Sequence, residues 1–137
     1  MISQLANLNW ISVVVAFAAY FMLGYLWYIV LFDKQYKISL GRADEVLPKK
    51  PIFIIGPAIC TLVITIATAI LIYALNIETL AGGFELSLLI GFGYLVANTV
   101  NIAINPNIPR PIYYGIITGL YHLTGITLAT SILALMR

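Results

Sequence analysis

The chain has one histidine, His122, and it sits inside the uncharged run "YGIITGLYHLTGITLA" (114–129). An imidazole can carry a proton, ligate a metal or haem, or exchange hydrogen bonds with its neighbours. Two carboxamides, Asn98 and Asn101, occupy another uncharged run, and Trp27, Tyr28 and Tyr121 add aromatic rings with polar tips. Intramembrane hydrolysis needs a nucleophile–base pair or a metal site. One His, no carboxylate well inside an apolar run and one distant cysteine, Cys60, supply neither a triad nor a three-ligand zinc site. Bis-histidine haem would require two copies meeting at His122. No cofactor and no metal are therefore expected, and the chain reads as a non-enzyme.

The elements that position these groups follow from composition. Of 137 residues, 62% are hydrophobic and 9% charged. Soluble chains are about half apolar and a quarter charged, so the excess points to lipid. The net charge of +2, with no basic or acidic tail, gives no reason to expect a nucleic-acid partner. Cys60 lies in an apolar run and has no second cysteine to pair with.

Four stretches lack charge over a membrane-spanning length: 8–32, 51–75, 86–104 and 112–136. About 20 apolar residues cross a hydrocarbon core of about 30 Å. Backbone in lipid must satisfy its own hydrogen bonds, so each run should be a helix. The reading is all-α: residues 1–137 as one integral membrane domain, a four-helix antiparallel up-down bundle. "AFA" at 16–18 mimics a cleavage site, but no Lys or Arg precedes the run and it stays apolar to Phe32, so it is expected to be retained. The segment 76–83 reads as a tight turn, and Gly56-Pro57 as a bend in the second helix.

Lys34, Lys37, Arg42, Lys49, Lys50 and Arg110 cluster at one end of the spans, against Arg137 alone at the other. The positive-inside rule then puts both basic loops in the cytoplasm and both termini outside. The basic cluster should also touch anionic lipid.

Helical spacing gives every run a small-and-polar stripe. Gly115, Thr118, Gly119, His122 and Gly125 fall within an arc of about 120° at about 100° per residue. Gly91, Tyr94, Asn98 and Asn101 share a face of the third run. Ala58, Thr61, Thr65, Thr68 and Ala69 share one on the second, and Ala16, Ala19, Tyr20, Leu23 and Trp27, beside Gly24, on the first. Small residues admit close helix approach, so Gly24, Gly91, Gly115, Gly119 and Gly125 are the expected packing positions, with Gly115-x-x-x-Gly119 also a candidate for self-association. His122 lies ten residues into its run, about 15 Å deep. At that depth Trp27, Tyr28, Asn98, Asn101, Tyr121 and His122 can line one polar pocket open to the cytoplasmic half. The same residues can instead be structural glue, with His122 satisfied by a neighbouring amide or hydroxyl. Tyr28 also reads as an interfacial anchor.

Asn9-Trp10, Gly24-x-x-Trp27-Tyr28, Phe32-x-Lys34, Gly91-Phe92, an Asn in the third span, Arg110-Pro111 and Tyr121-His122-Leu123 together resemble a domain-of-unknown-function family of small four-span bacterial membrane proteins. The chain departs from that pattern at Asp33, where a glycine is expected, and at Tyr36 and Ile112, near which tryptophans are expected. The resemblance implies a prokaryotic four-helix protein of the inner membrane, with Trp27, Tyr28, Asn98 or Asn101, and His122 as signature positions. It implies no reaction.

Two function classes follow. One is a binding or accessory membrane module that uses the Trp27–His122 pocket. It would contact membrane lipids, and it leaves room for a homo-oligomer or a membrane-protein partner. The other is a small oligomeric channel or transporter. It would have to work without any Asp, Glu, Lys or Arg in the runs, because Glu85 sits only at the outer edge of the third.

Overall fold

Asn9 starts the first helix and ties the ends of two others to it. Its Oδ1 accepts from the backbone N–H of Ile11 and Ser12 at 3.1 and 3.4 Å, the usual work of an N-cap. Its Nδ2 donates to the Met136 carbonyl at 2.8 Å, and its backbone N–H donates to the Tyr73 hydroxyl at 3.0 Å. The computed structural model describes all 137 residues and is wholly helical apart from turns and loops. Helix α1 (Trp10–Tyr25) continues through a wide π turn, Leu26–Leu31, and is followed by the short α2 (Asp33–Ser39). Helix α3 is Ile52–Ala74; α4 (Leu80–Ile90), a second π turn (Gly91–Val96) and α5 (Ala97–Ala103) form one rod; α6 is Pro111–Leu135. The four rods, Trp10–Leu31, Ile52–Ala74, Leu80–Ala103 and Pro111–Leu135, are each long and apolar enough to cross a membrane. They alternate in direction.

The turn between α3 and α4 is shorter than the sequence suggested. Asn76 adopts a left-handed φ of 54°, and Ile77 N–H closes back on the Ile72 carbonyl at 3.0 Å, a Schellman stop with Asn where Gly is commoner. The Thr79 hydroxyl then accepts from Gly82 N–H at 3.1 Å and opens α4 at Leu80. Gly82 and Gly83 therefore lie inside the helix, and so does Glu85, which is exposed one turn further on. Helix α3 runs unbroken through Pro57.

The bundle is built around α6. Half of its most apolar window is buried, against 17–22% for the other three rods. It touches α1, α2, α3, α4, α5 and the second π turn, whereas the sequential neighbours α3 and α4 form no extended contact. The α1–α6 pair is reciprocal: the Tyr20 ring occupies the space at Gly125, and the Tyr121 hydroxyl would lie 3.0 Å from a Cβ on Gly24. Ala16 and Ala129, one turn further along, are fully buried. On its other side, a Cβ on Gly115 would meet Val100 at 2.9 Å and one on Gly119 would meet Val96 at 3.3 Å. The Gly115-x-x-x-Gly119 pair is thus consumed inside the chain and is not available for self-association. Buried hydroxyls bond back to their own helices, as Thr65 does to Thr61 O and Thr68 to Ile64 O, both at 2.8 Å. Thr127 also reaches across from α6 to Ser87 at 3.0 Å.

Gly125→Ala should force Tyr20 out of its notch and destabilise the bundle by about 1–3 kcal/mol, the usual cost of overpacking. Gly56→Ala, whose Cβ would meet only the Ile52 side chain at 4.0 Å, should be neutral. Thermal unfolding of the two variants in one detergent checks this; equal melting temperatures would refute the reciprocal fit.

Candidate functional site

Around Tyr121, four of the six expected pocket residues come together. The Tyr121 ring lies 5.0 Å from Tyr28, 6.3 Å from Trp27 and 4.9 Å from the His122 imidazole, centroid to centroid. Tyr20, which spacing placed on the polar stripe of the first run but not among the pocket residues, belongs here too: its ring is 5.6 Å from Tyr121. Its hydroxyl lies 3.1 Å from His122 Nδ1 and 3.4 Å from the His122 carbonyl. In either tautomer this bond occupies Nδ1 alone. Nε2 has no partner in the chain. The Trp27 indole N–H donates to the Ile117 carbonyl at 3.1 Å, and its ring stacks at 4.6 Å on Phe32, which the π turn brings beneath it.

Tyr28 is half-buried and faces inward, with Tyr36 of α2 at 4.8 Å on its other side. Tyr36 in turn meets Tyr114 at 5.9 Å. A continuous aromatic ladder therefore runs from the middle of the bundle, at Tyr20 and His122, to the end that carries the basic loops. Lys37 pairs with Asp33 at 2.8 Å and Arg42 with Glu45 at 3.5 Å on that rim, while Lys34, Lys49, Lys50 and Arg110 are exposed.

Thr118 stands one turn below His122 on α6. Its Oγ1 is fully buried and makes no hydrogen bond of good geometry, with the Tyr28 hydroxyl lying within reach of it. The buried hydroxyls of Ser12, Thr65, Thr68, Ser87 and Thr130 each bond to a carbonyl one turn back; leaving one unmade costs about 1–3 kcal/mol. Sequence spacing placed Thr118 on the right face, but spacing alone does not tell a satisfied hydroxyl from an orphaned one.

Asn98 and Asn101 are not in this cluster. Both are exposed, on an open depression of about 520 Å³ shared with Gly93, Tyr94, Leu95 and Ala97. The cause is the π turn at Gly91–Val96. At 3.6 residues per turn, Gly91, Tyr94, Asn98 and Asn101 share a face. One wide turn inserts an extra residue and rotates all that follows. The face on α6 therefore runs Gly91, Val96, Val100, Ala103, and the asparagines turn outward. No three His, Cys, Asp or Glu side chains converge anywhere in the chain.

Four apolar rods around a buried aromatic–hydroxyl cluster define a multi-pass helical membrane protein. The chain belongs to the family described as "Protein of unknown function (DUF1761)", which matches residues 11–134. No curated protein and no solved structure matches it.

Outside the spans, burial and then the neighbouring Tyr114 push the Tyr36 hydroxyl from its ordinary 10.0 up to about 12. The raised value means the folded chain holds a proton that the unfolded chain releases. Its stabilisation is complete below pH 10 and is lost as pH rises through 12. Tyr36→Phe should abolish that part of the alkaline loss; melting temperature against pH for both proteins gives the difference curve, which should be flat below 10.

Proposed function

We propose that this chain is a non-enzymatic binding or accessory module of a bacterial inner membrane. Its Trp27–Tyr28–Thr118–Tyr121–His122 cluster holds a small, largely apolar ligand with a polar head. The observation that carries this reading is the Thr118 hydroxyl, fully buried and without a hydrogen bond of good geometry, only the Tyr28 hydroxyl standing within reach of it. A site built to hydrogen-bond a ligand leaves such a group unmade when empty. His122 Nε2, one turn away, adds a second unused polar atom. The rings supply apolar contact, and the ladder through Tyr36 and Tyr114 leads toward the basic end. The Asp33–Lys50 and 104–110 connections face the cytoplasm, both termini lie outside, and the exposed lysines lie against anionic headgroups.

A second reading is favoured by the Tyr20–His122 bond, which lets the imidazole serve as a tie between α1 and α6. The two readings part on Thr118→Val. A ligand site predicts that the valine variant, purified in nanodiscs, loses a co-purified small molecule seen by native mass spectrometry on wild type. It also predicts a shift in Trp27 emission, read in a Trp10→Phe background. A pure tie predicts identical masses and emission, with the variant equal to or more stable than wild type. Orientation is checked separately on a Cys60→Ser background. Gln4→Cys should react with an impermeant maleimide in intact cells, and Ala43→Cys only after lysis.

A further inference from the structure

The outward face of the Leu80–Ala103 rod carries polar groups where lipid would otherwise lie. Tyr94 is 69% exposed and stands 14 residues into a 24-residue rod, near the middle of the hydrocarbon. Side chains on a helix lean toward its N-terminus, so the phenol of Tyr94 leans further into the span rather than toward the nearer interface. Asn98, one turn on, is five residues from the end of the rod, about 8 Å in by helical rise. It is exposed, as is Asn101 one turn closer to the rim, and neither side chain is bonded within the chain. Beside this polar ridge runs a low one: Gly93, where an added Cβ would meet nothing within 4 Å, and Ala97. Polar side chains inside spans almost always face protein, not acyl chains.

We infer that this face is the contact between two copies of the chain, paired about a two-fold axis along the membrane normal through Gly93, Ala97 and Asn98. Complementarity selects a second copy over another partner. The excess of six Lys or Arg over one at opposite ends gives all copies one orientation, so a two-fold along the normal sets each residue opposite itself. A carboxamide is both donor and acceptor, so Asn98 facing Asn98 satisfies both. Gly93 and Ala97 let the two backbones approach closely enough for that bond, as small residues do at membrane interfaces. This is a different surface from Gly115-x-x-x-Gly119, and it does not depend on the ligand-site reading.

Light scattering and dilution-dependent energy transfer in lipid nanodiscs test it. Wild type should be dimeric, and Asn98→Leu should weaken the dimer about tenfold, within the range of interhelical amide bonds. Gly93→Leu should abolish it while leaving the melting temperature of the monomer unchanged, since nothing within the chain occupies that space. On a Cys60→Ser background, Ala97→Cys should form a disulfide between copies in native membranes, and Ile54→Cys, exposed on another rod, should not. A monomeric wild type overturns the inference, as does a dimer indifferent to both Asn98→Leu and Gly93→Leu, or equal crosslinking at positions 54 and 97. An Ala97→Cys adduct of some mass other than twice the chain also overturns it, in favour of a different membrane protein.

Discussion

Helices in lipid gain nothing by hiding apolar side chains from one another, because the acyl chains are equally apolar. What holds them is fit: how closely backbones approach, and whether polar groups at the contact find partners. In this chain both requirements fall on α6. Its glycines and alanines face Tyr20, Val96 and Val100 at distances no larger residue would allow. On α4, Gly83 is pressed so close to α6 that an added Cβ would stand 3.1 Å from the Thr130 carbonyl. Close approach brings the hydroxyls of Ser87 and Thr127 within bonding distance across the α4–α6 contact. The first and third rods are arranged mainly by how they meet α6, while α3 packs chiefly against α1.

The aromatic cluster is a consequence of that fit. On α1 and α6 a tyrosine faces a glycine twice, in opposite senses, so Tyr20 and Tyr121 are driven side by side into the middle of the pair. Trp27, bonded to the Ile117 carbonyl, and Tyr28 then close the cluster from the π turn that ends the first rod. The polar atoms left over lie beside these rings: Thr118 Oγ1 near the Tyr28 hydroxyl, and His122 Nε2 on an imidazole set against Tyr121 and bonded to Tyr20. A ligand reaching them would trade contacts with aromatic faces, and strands nothing charged in lipid. This is why the reading favours an apolar molecule with a small polar head over an ion.

The two π turns do opposite things. The turn at Leu26–Leu31 keeps Trp27 and Tyr28 inward and folds Phe32 under the indole. The turn at Gly91–Val96 rotates the rest of its rod, giving Val96, Val100 and Ala103 to α6 and presenting Tyr94, Asn98 and Asn101 outward. One extra residue in one turn separates a carboxamide in a pocket from a carboxamide on a surface. It also separates the interior chemistry, carried by Thr118 and His122, from the face we assign to a second copy.

Much of this was legible in the residues themselves. Uncharged runs of about 20 residues read as helices in lipid, because a helix satisfies all its backbone hydrogen bonds within one segment and a spanning strand would be about half as long. Regular spacing likewise placed Gly24, His122 and the glycines of α6 on inward faces, since α1 and α6 keep the 3.6-residue period where those residues lie. Position along the third rod was not legible, because a π turn leaves no mark in composition and shifts every later residue by about 100°. Nor was the partner of His122, or the lack of a well-placed one at Thr118. Those are properties of two helices at a particular depth and rotation, and only tertiary packing sets them.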